Sequence, residues 1–104
     1  MDEEHQLPTL PEPAEILAAI RAGLAKLLPA EDLAQVDLDA IVASTPLLSL
    51  PVDSAVLMAL MTELEDTFLV FIDEEAAFSF TVLGDVSDYI RNRITERARR
   101  LHDA

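Results

Sequence analysis

The chain has no cysteine, no tryptophan, only two glycines, and seven basic residues against twenty acidic ones. The missing thiols exclude disulfides, thiolate nucleophiles and zinc–thiolate sites. With one Tyr and four Phe as the only aromatics, the core must be built mainly from Leu, Ile, Val, Met and Ala, most of which suit helices. A net charge of −13 works against nucleic-acid binding, whose affinity comes largely from Lys and Arg pairing with phosphates. It steers the chain towards basic surfaces instead. The longest uncharged run, residues 40–52, is too short to span a bilayer and contains Pro46 and Pro51. The opening Met1-Asp2-Glu3-Glu4 has the wrong charge for a secretory signal. A cytoplasmic protein without membrane insertion is the expectation.

What is present points to one small helical domain. The chain has 104 residues, 51% of them hydrophobic, which suffices for one core. Residues 1–11 are acidic, carry Pro8 and Pro11, and read as a flexible lead-in. Residues 12–101 read as a single domain and residues 102–104 as a tail. His5 and His102 stand near opposite ends and read as exposed tail residues.

A first helix is expected near Pro13, since proline is tolerated in a first turn. Ile16, Ile20, Leu24 and Leu27 give its inward stripe and Pro29 its end. Gly23 inside it costs about 1 kcal/mol relative to Ala. Residues 29–52 form a long connection too apolar for a solvated loop, expected to pack over the core with one short helical turn. A second helix is expected from Asp53 or Ser54 to Phe68, with Leu57, Leu60, Met61, Leu64 and Phe68 inward. A short helix follows within Asp73–Phe78. A last helix begins near Thr81, with Val82, Val86, Tyr89, Ile90, Ile94 and Leu101 on its face. The fold expected is all-α: a small antiparallel four-helix bundle of three longer helices and one short one. Five arginines crowd residues 91–104 against Glu96 and Asp103. They read as cations favoured by the end of a helix dipole or as an anion site.

Asp53-Ser54 before a helix is, by itself, a cap. Position adds to this: a serine there holds its hydroxyl at the end of a long loop, beside free amides and a positive dipole end that favour a phosphate. With no His or Lys nearby in sequence to act as its base, it is badly placed as a self-activated nucleophile. The surrounding pieces are Val52-Asp53-Ser54-Ala55, Leu64-Glu65-Asp66-Thr67-Phe68, Ile72-Asp73-Glu74-Glu75, Thr81-Val82 and Ser87-Asp88-Tyr89-Ile90, preceded by Leu47-Leu48-Ser49-Leu50. Their joint spacing resembles the acyl carrier protein family, well over residues 36–95 and more loosely over the first helix.

The resemblance implies a 4'-phosphopantetheine arm joined covalently to Ser54 by a phosphopantetheinyl transferase. The arm's thiol would hold acyl groups as thioesters for acyl-activating, acyl-transferring or condensing enzymes. The chain would be a carrier and not an enzyme, and a monomer suffices. Asp53 would be read by the transferase and fix the helix start. The second helix would be the partner surface, through Ala55, Val56, Met58, Ala59, Thr62 and Glu63. Leu60, Met61, Leu64, Phe68, Phe78 and Tyr89 would either shelter an acyl chain or simply pack as core.

Three departures bear on the pathway. Pro51 stands at the family's usual Gly, Ala55 at its Leu, and Met58-Ala59-Leu60 at its Val-Glu-Leu. The apolar opening of the second helix suggests partners outside housekeeping fatty acid synthesis: a specialised lipid or polyketide pathway. A discrete aminoacyl or peptidyl carrier is the nearest alternative. An unmodified helical interaction module, with Ser54 only a cap, is another class. No metal set, nucleophile–base pair or phosphate loop supports an autonomous enzyme.

Overall fold

The structure, a computed structural model, describes residues 10–103. Among the described residues there are three long helices, α1 (Pro13–Leu27), α3 (Ser54–Phe68) and α5 (Leu83–Asp103), and two short ones, α2 (Ala30–Leu33) and α4 (Glu74–Ser79). Together they form a small all-α bundle in which α1 packs on both α3 and α5. The expected lead-in falls on residues 1–9, outside the described residues, except for Leu10 and Pro11. Pro11 is buried, and its carbonyl accepts from Arg91 Nε at 2.9 Å. The expectation for His5 also lies outside the described residues, as do the side chains of the expected tail, residues 102–104.

Each long helix starts as its residues dictate. Pro13 opens α1, and Glu15 Oε1 accepts from the Glu12 amide at 2.8 Å, satisfying a donor that the helix itself leaves unpaired. Leu28 ends α1 in extended backbone, the geometry favoured before Pro29. Ile16, Ile20 and Leu24 face Leu57, Leu60, Met61 and Leu64 of α3 in one core with Leu83, Val86, Ile90 and Ile94 of α5.

Gly23 is explained here. A Cβ at that position would lie 2.6 Å from Leu60 Cδ1. The glycine therefore accepts a propensity penalty so that α1 and α3 can approach.

Several expectations need correction. The 29–52 connection carries more than one helical turn: α2 is followed by 3-10 turns at Leu38–Ala40 and Leu47–Ser49. Nor does the whole connection pack down, since Leu48 is 98% exposed. α5 starts at Leu83 and not Thr81, because Pro46 and Val82 form an isolated antiparallel bridge that keeps the chain extended. Asp85 Oδ2 then accepts from the Thr81 and Val82 amides at 2.9 and 3.1 Å. These bonds hold its carboxyl below the usual carboxylate range. Leu101 is exposed, because α5 is 21 residues long, about 30 Å, and outruns the 15-residue α1 and α3 it packs beside.

At the end of α3, Leu69 takes the left-handed conformation, φ 56° and ψ 47°, which costs a non-glycine residue about 1–2 kcal/mol. Its side chain is largely exposed, so little packing compensates. Leu69→Gly is expected to raise stability by about 0.5–1 kcal/mol, after allowing for the greater freedom of glycine when unfolded. A denaturant midpoint that moves up with unchanged slope is the readout.

Candidate functional site

The loop before α3 is held down at both ends, which places residues 53 and 54. From α1, Arg21 donates through Nε to the Leu38 carbonyl at 3.0 Å and through the guanidinium Nη2 to the Ile41 carbonyl at 2.8 Å. On the other side the loop pairs with the chain entering α5. The Leu47 amide donates to the Thr81 carbonyl at 2.9 Å, Leu83 to Thr45 at 3.0 Å, and Gly84 to Ala43 at 2.7 Å. Ile41 and Leu47 are buried in the core. The loop is thus backbone tied to α1 and to the chain entering α5 through several of its amides and carbonyls, and it delivers the chain to α3 in a fixed direction.

Asp53 is the N-cap of α3. Its Oδ1 accepts from the Val56 amide at 2.8 Å, and its carbonyl from the Leu57 amide at 2.8 Å. The amides of Ser54 and Ala55 precede the first helical bond and point out of the helix start, where the dipole is positive. Ser54 is exposed, and no hydrogen bond among the described residues engages its hydroxyl. A phosphodiester on that oxygen fits: it is reachable, and two backbone donors remain beside it. The sequence carries no thiol of its own, so a thiol-bearing group would add chemistry that the chain lacks.

The other named positions on α3 divide. Ala55 and Thr62 are exposed, whereas Val56, Met58 and Ala59 are half-buried. Thr62 Oγ1 donates to the Met58 carbonyl at 3.1 Å. Glu63 is turned towards α1, where Lys26 Nζ lies 2.8 Å from Oε2. Glu65 Oε2 accepts from the Ile72 amide at 2.7 Å and closes the turn into α4. Two of the three carboxylates on α3 are therefore occupied within the molecule, and Asp66 is the third.

The residues read as either an acyl shelter or core divide, with Phe68 and Tyr89 half-buried against the core. Leu60, Met61 and Leu64 are each 1% exposed and pack as core. Phe78 is 52% exposed, a correction with a simple cause. The Asp73 cap, its Oδ1 accepting from the Ala76 amide at 2.7 Å, turns Ala77 inward and the next residue outward. Phe80 takes the inner place instead and meets Tyr89 edge-on, with ring centroids 5.6 Å apart.

Leu48 was not singled out from the sequence as exposed. It stands six positions before Ser54 with its side chain almost wholly in solvent. The Pro46–Ser49 turn explains this: Leu47 fills the core, and the Ser49 hydroxyl closes back on the Pro46 carbonyl at 2.7 Å. One leucine goes in and the next must go out. The sequence signal was the Pro-Leu-Leu-Ser turn itself.

Comparison with known proteins adds one positive finding. A family model described as "Phosphopantetheine attachment site" matches residues 18–90. No curated protein matches the chain.

Proposed function

Because the chain belongs to the phosphopantetheine attachment-site family, whose domains carry 4'-phosphopantetheine covalently on a serine, we propose that Ser54 is the attachment residue. We further propose that the protein carries acyl groups to partner enzymes. When bound, the group supplies the thiol on which an acyl chain is held as a thioester. The chain's own residues do the rest: Asp53 fixes the helix start, the amides of Ser54 and Ala55 face the phosphate, and Arg21 keeps the approach loop in place.

The observation that carries the reading is the contrast among the serines of the matched region. Ser87 is buried. The Ser49 and Ser79 hydroxyls donate to the Pro46 and Ala76 carbonyls, both at 2.7 Å. Ser44 is exposed but lies in a turn with no helix start beside it. Ser54 alone joins an exposed hydroxyl to the free amides of a long helix. Incubation with coenzyme A and a broad-specificity phosphopantetheinyl transferase is expected to add one arm per chain by intact mass. Peptide mapping is expected to place the increment on the fragment containing Ser54. Unmodified protein under conditions that load a control carrier would instead favour an unmodified interaction module.

The pathway reading follows from α3. Its first turns present Ala55, Val56, Met58, Ala59 and Thr62, without charge, and Glu63 is engaged by Lys26. Partners that select free carboxylates on this helix find few, which supports a specialised lipid or polyketide pathway over housekeeping fatty acid synthesis. The same reading keeps the carrier a cytoplasmic monomer, as the sequence suggests. Among the described residues no helix is long and apolar enough to cross a membrane. Offering the loaded protein amino acids and fatty acids with their ligases distinguishes an acyl from an aminoacyl carrier.

Leu48 belongs to the partner surface in this proposal. Leu48→Asp is expected to leave the unfolding midpoint within about 0.5 kcal/mol of the parent, as exposed positions do. The transferase kcat/KM should fall about tenfold, the size of one apolar interface anchor. A change in stability without a change in kcat/KM would place Leu48 in folding and not in docking.

A further inference from the structure

The carrier reading uses the start of α3, and the opposite end of the molecule holds a groove that this reading leaves without a task. α3 is 15 residues long, about 20 Å, so the turn after it lies far from Ser54. That turn exposes Leu69 and Phe71, 71% and 63% open to solvent. Facing them, α5 brings up Arg93, Arg97 and Arg100, spaced four and three residues apart and so on one side of the helix. With Glu65 and Asp66 these residues line a groove of about 610 Å³.

The groove sets three arginines against the carboxylates of Glu65 and Asp66, a small positive excess beside apolar surface on a molecule that is otherwise acidic. Arg93 also lies 3.6 Å from Glu96, an exposed pair of the weak kind that a competing carboxylate can displace. Glu65 is already committed to the Ile72 amide. Arg97 donates to the Leu69 carbonyl and is held against the groove wall. All three arginines follow residue 90, where the family match ends. The five arginines and two acids of residues 91–104 stand out in a chain of net charge −13.

We propose that this groove docks an acidic segment of a partner protein that bears apolar anchors. Carboxylates of the segment would meet Arg100, and Arg93 in exchange for its exposed partner Glu96, while its apolar side chains would cover Phe71 and Leu69. An acidic segment is repelled by the rest of the surface and attracted here, which defines where it binds. Docking at this end leaves Ser54 clear, so a bound partner would be tethered near the arm without obstructing it.

The test uses the full chain and two labelled synthetic helical peptides of identical pattern. Both carry leucines at positions i, i+3, i+4 and i+7; one has glutamates elsewhere and the other lysines. Fluorescence anisotropy is expected to show binding of the glutamate peptide, weakened about tenfold or more by Arg93→Ser with Arg100→Ser, and separately by Phe71→Ser. Arg97 is spared because it holds the Leu69 carbonyl. Ser54→Ala is expected to bind the peptide as the parent does, so failure here and failure of the carrier reading are distinguishable. Equal binding of the lysine peptide, or a glutamate-peptide affinity untouched by all these changes, overturns the proposal. So does a parent dimer that the arginine changes dissociate, which would make a second copy the occupant. Tighter peptide binding in the Asp2→Ser, Glu3→Ser, Glu4→Ser triple variant also overturns it, because the occupant would then be this chain's own acidic start.

Discussion

Ser54→Ala is expected to abolish attachment of the phosphopantetheine arm completely, while the protein remains folded. The effect is all or none because the bond formed is to that hydroxyl oxygen, and alanine has none. The fold should be indifferent. Ser54 is exposed at the first position of α3, where alanine is a good helix former. The cap belongs to Asp53, whose bond to the Val56 amide is untouched. A stability change within about 0.5 kcal/mol is expected, as for surface substitutions generally. Loss of the mass increment with an unchanged melting curve therefore reports chemistry and not unfolding. Ser44→Ala and Ser49→Ala are the matched controls, and both should load as the parent does. A Ser54→Ala protein that still gains the increment would move the attachment to another hydroxyl and remove the basis for the carrier site argued above.

Gly23→Val is expected to be the most damaging single change to stability among those considered, at about 2–3 kcal/mol. Two terms oppose each other. Valine is a better helix residue than glycine by a few tenths of a kcal/mol. Against that, even the Cβ would lie 2.6 Å from Leu60 Cδ1, and two further methyl groups follow it. Leu60 is 1% exposed, so it cannot swing into solvent to make room. Overpacking a closed core in this way costs about 1–3 kcal/mol and sometimes more. For a domain of this size, with total stability of about 5–15 kcal/mol, that is a large share. Gly23→Ala should be milder, because its gain of about 1 kcal/mol in propensity offsets part of the same contact. Chemical denaturation measures both. The decisive check is the double change Gly23→Val with Leu60→Ala: the second substitution should cost less in the valine background than alone. Independent, additive costs would mean that the two helices do not meet at this pair.

Function can be followed from the same two ends of the molecule. The loop anchored by Arg21 and by its pairing with the entry to α5 positions Asp53 and Ser54. The groove lined by Arg93, Arg97, Arg100, Leu69 and Phe71 lies about one helix length away and is the second surface in the proposed docking. A carrier has to be loaded, visited and released by several proteins, and two separate surfaces allow one contact to persist while another is made.

The sequence by itself determined the three long helices and the family. Periodicity placed α1 and α3 with the bounds observed, because Pro13, Pro29 and the Asp53 cap are local signals that act through backbone geometry alone. The spacing of short motifs around Asp53-Ser54 pointed to the family that the match over residues 18–90 shows. Only the tertiary structure decided which apolar residues face inward where no period runs. Leu47 goes in and Leu48 out, Phe80 goes in and Phe78 out, and Leu101 passes beyond the bundle. It also showed that Gly23 makes room for the Leu60 side chain, and that Glu63 answers Lys26. These facts depend on residues distant in sequence meeting in space, and a helix pattern read along one strand of sequence carries no record of its neighbours.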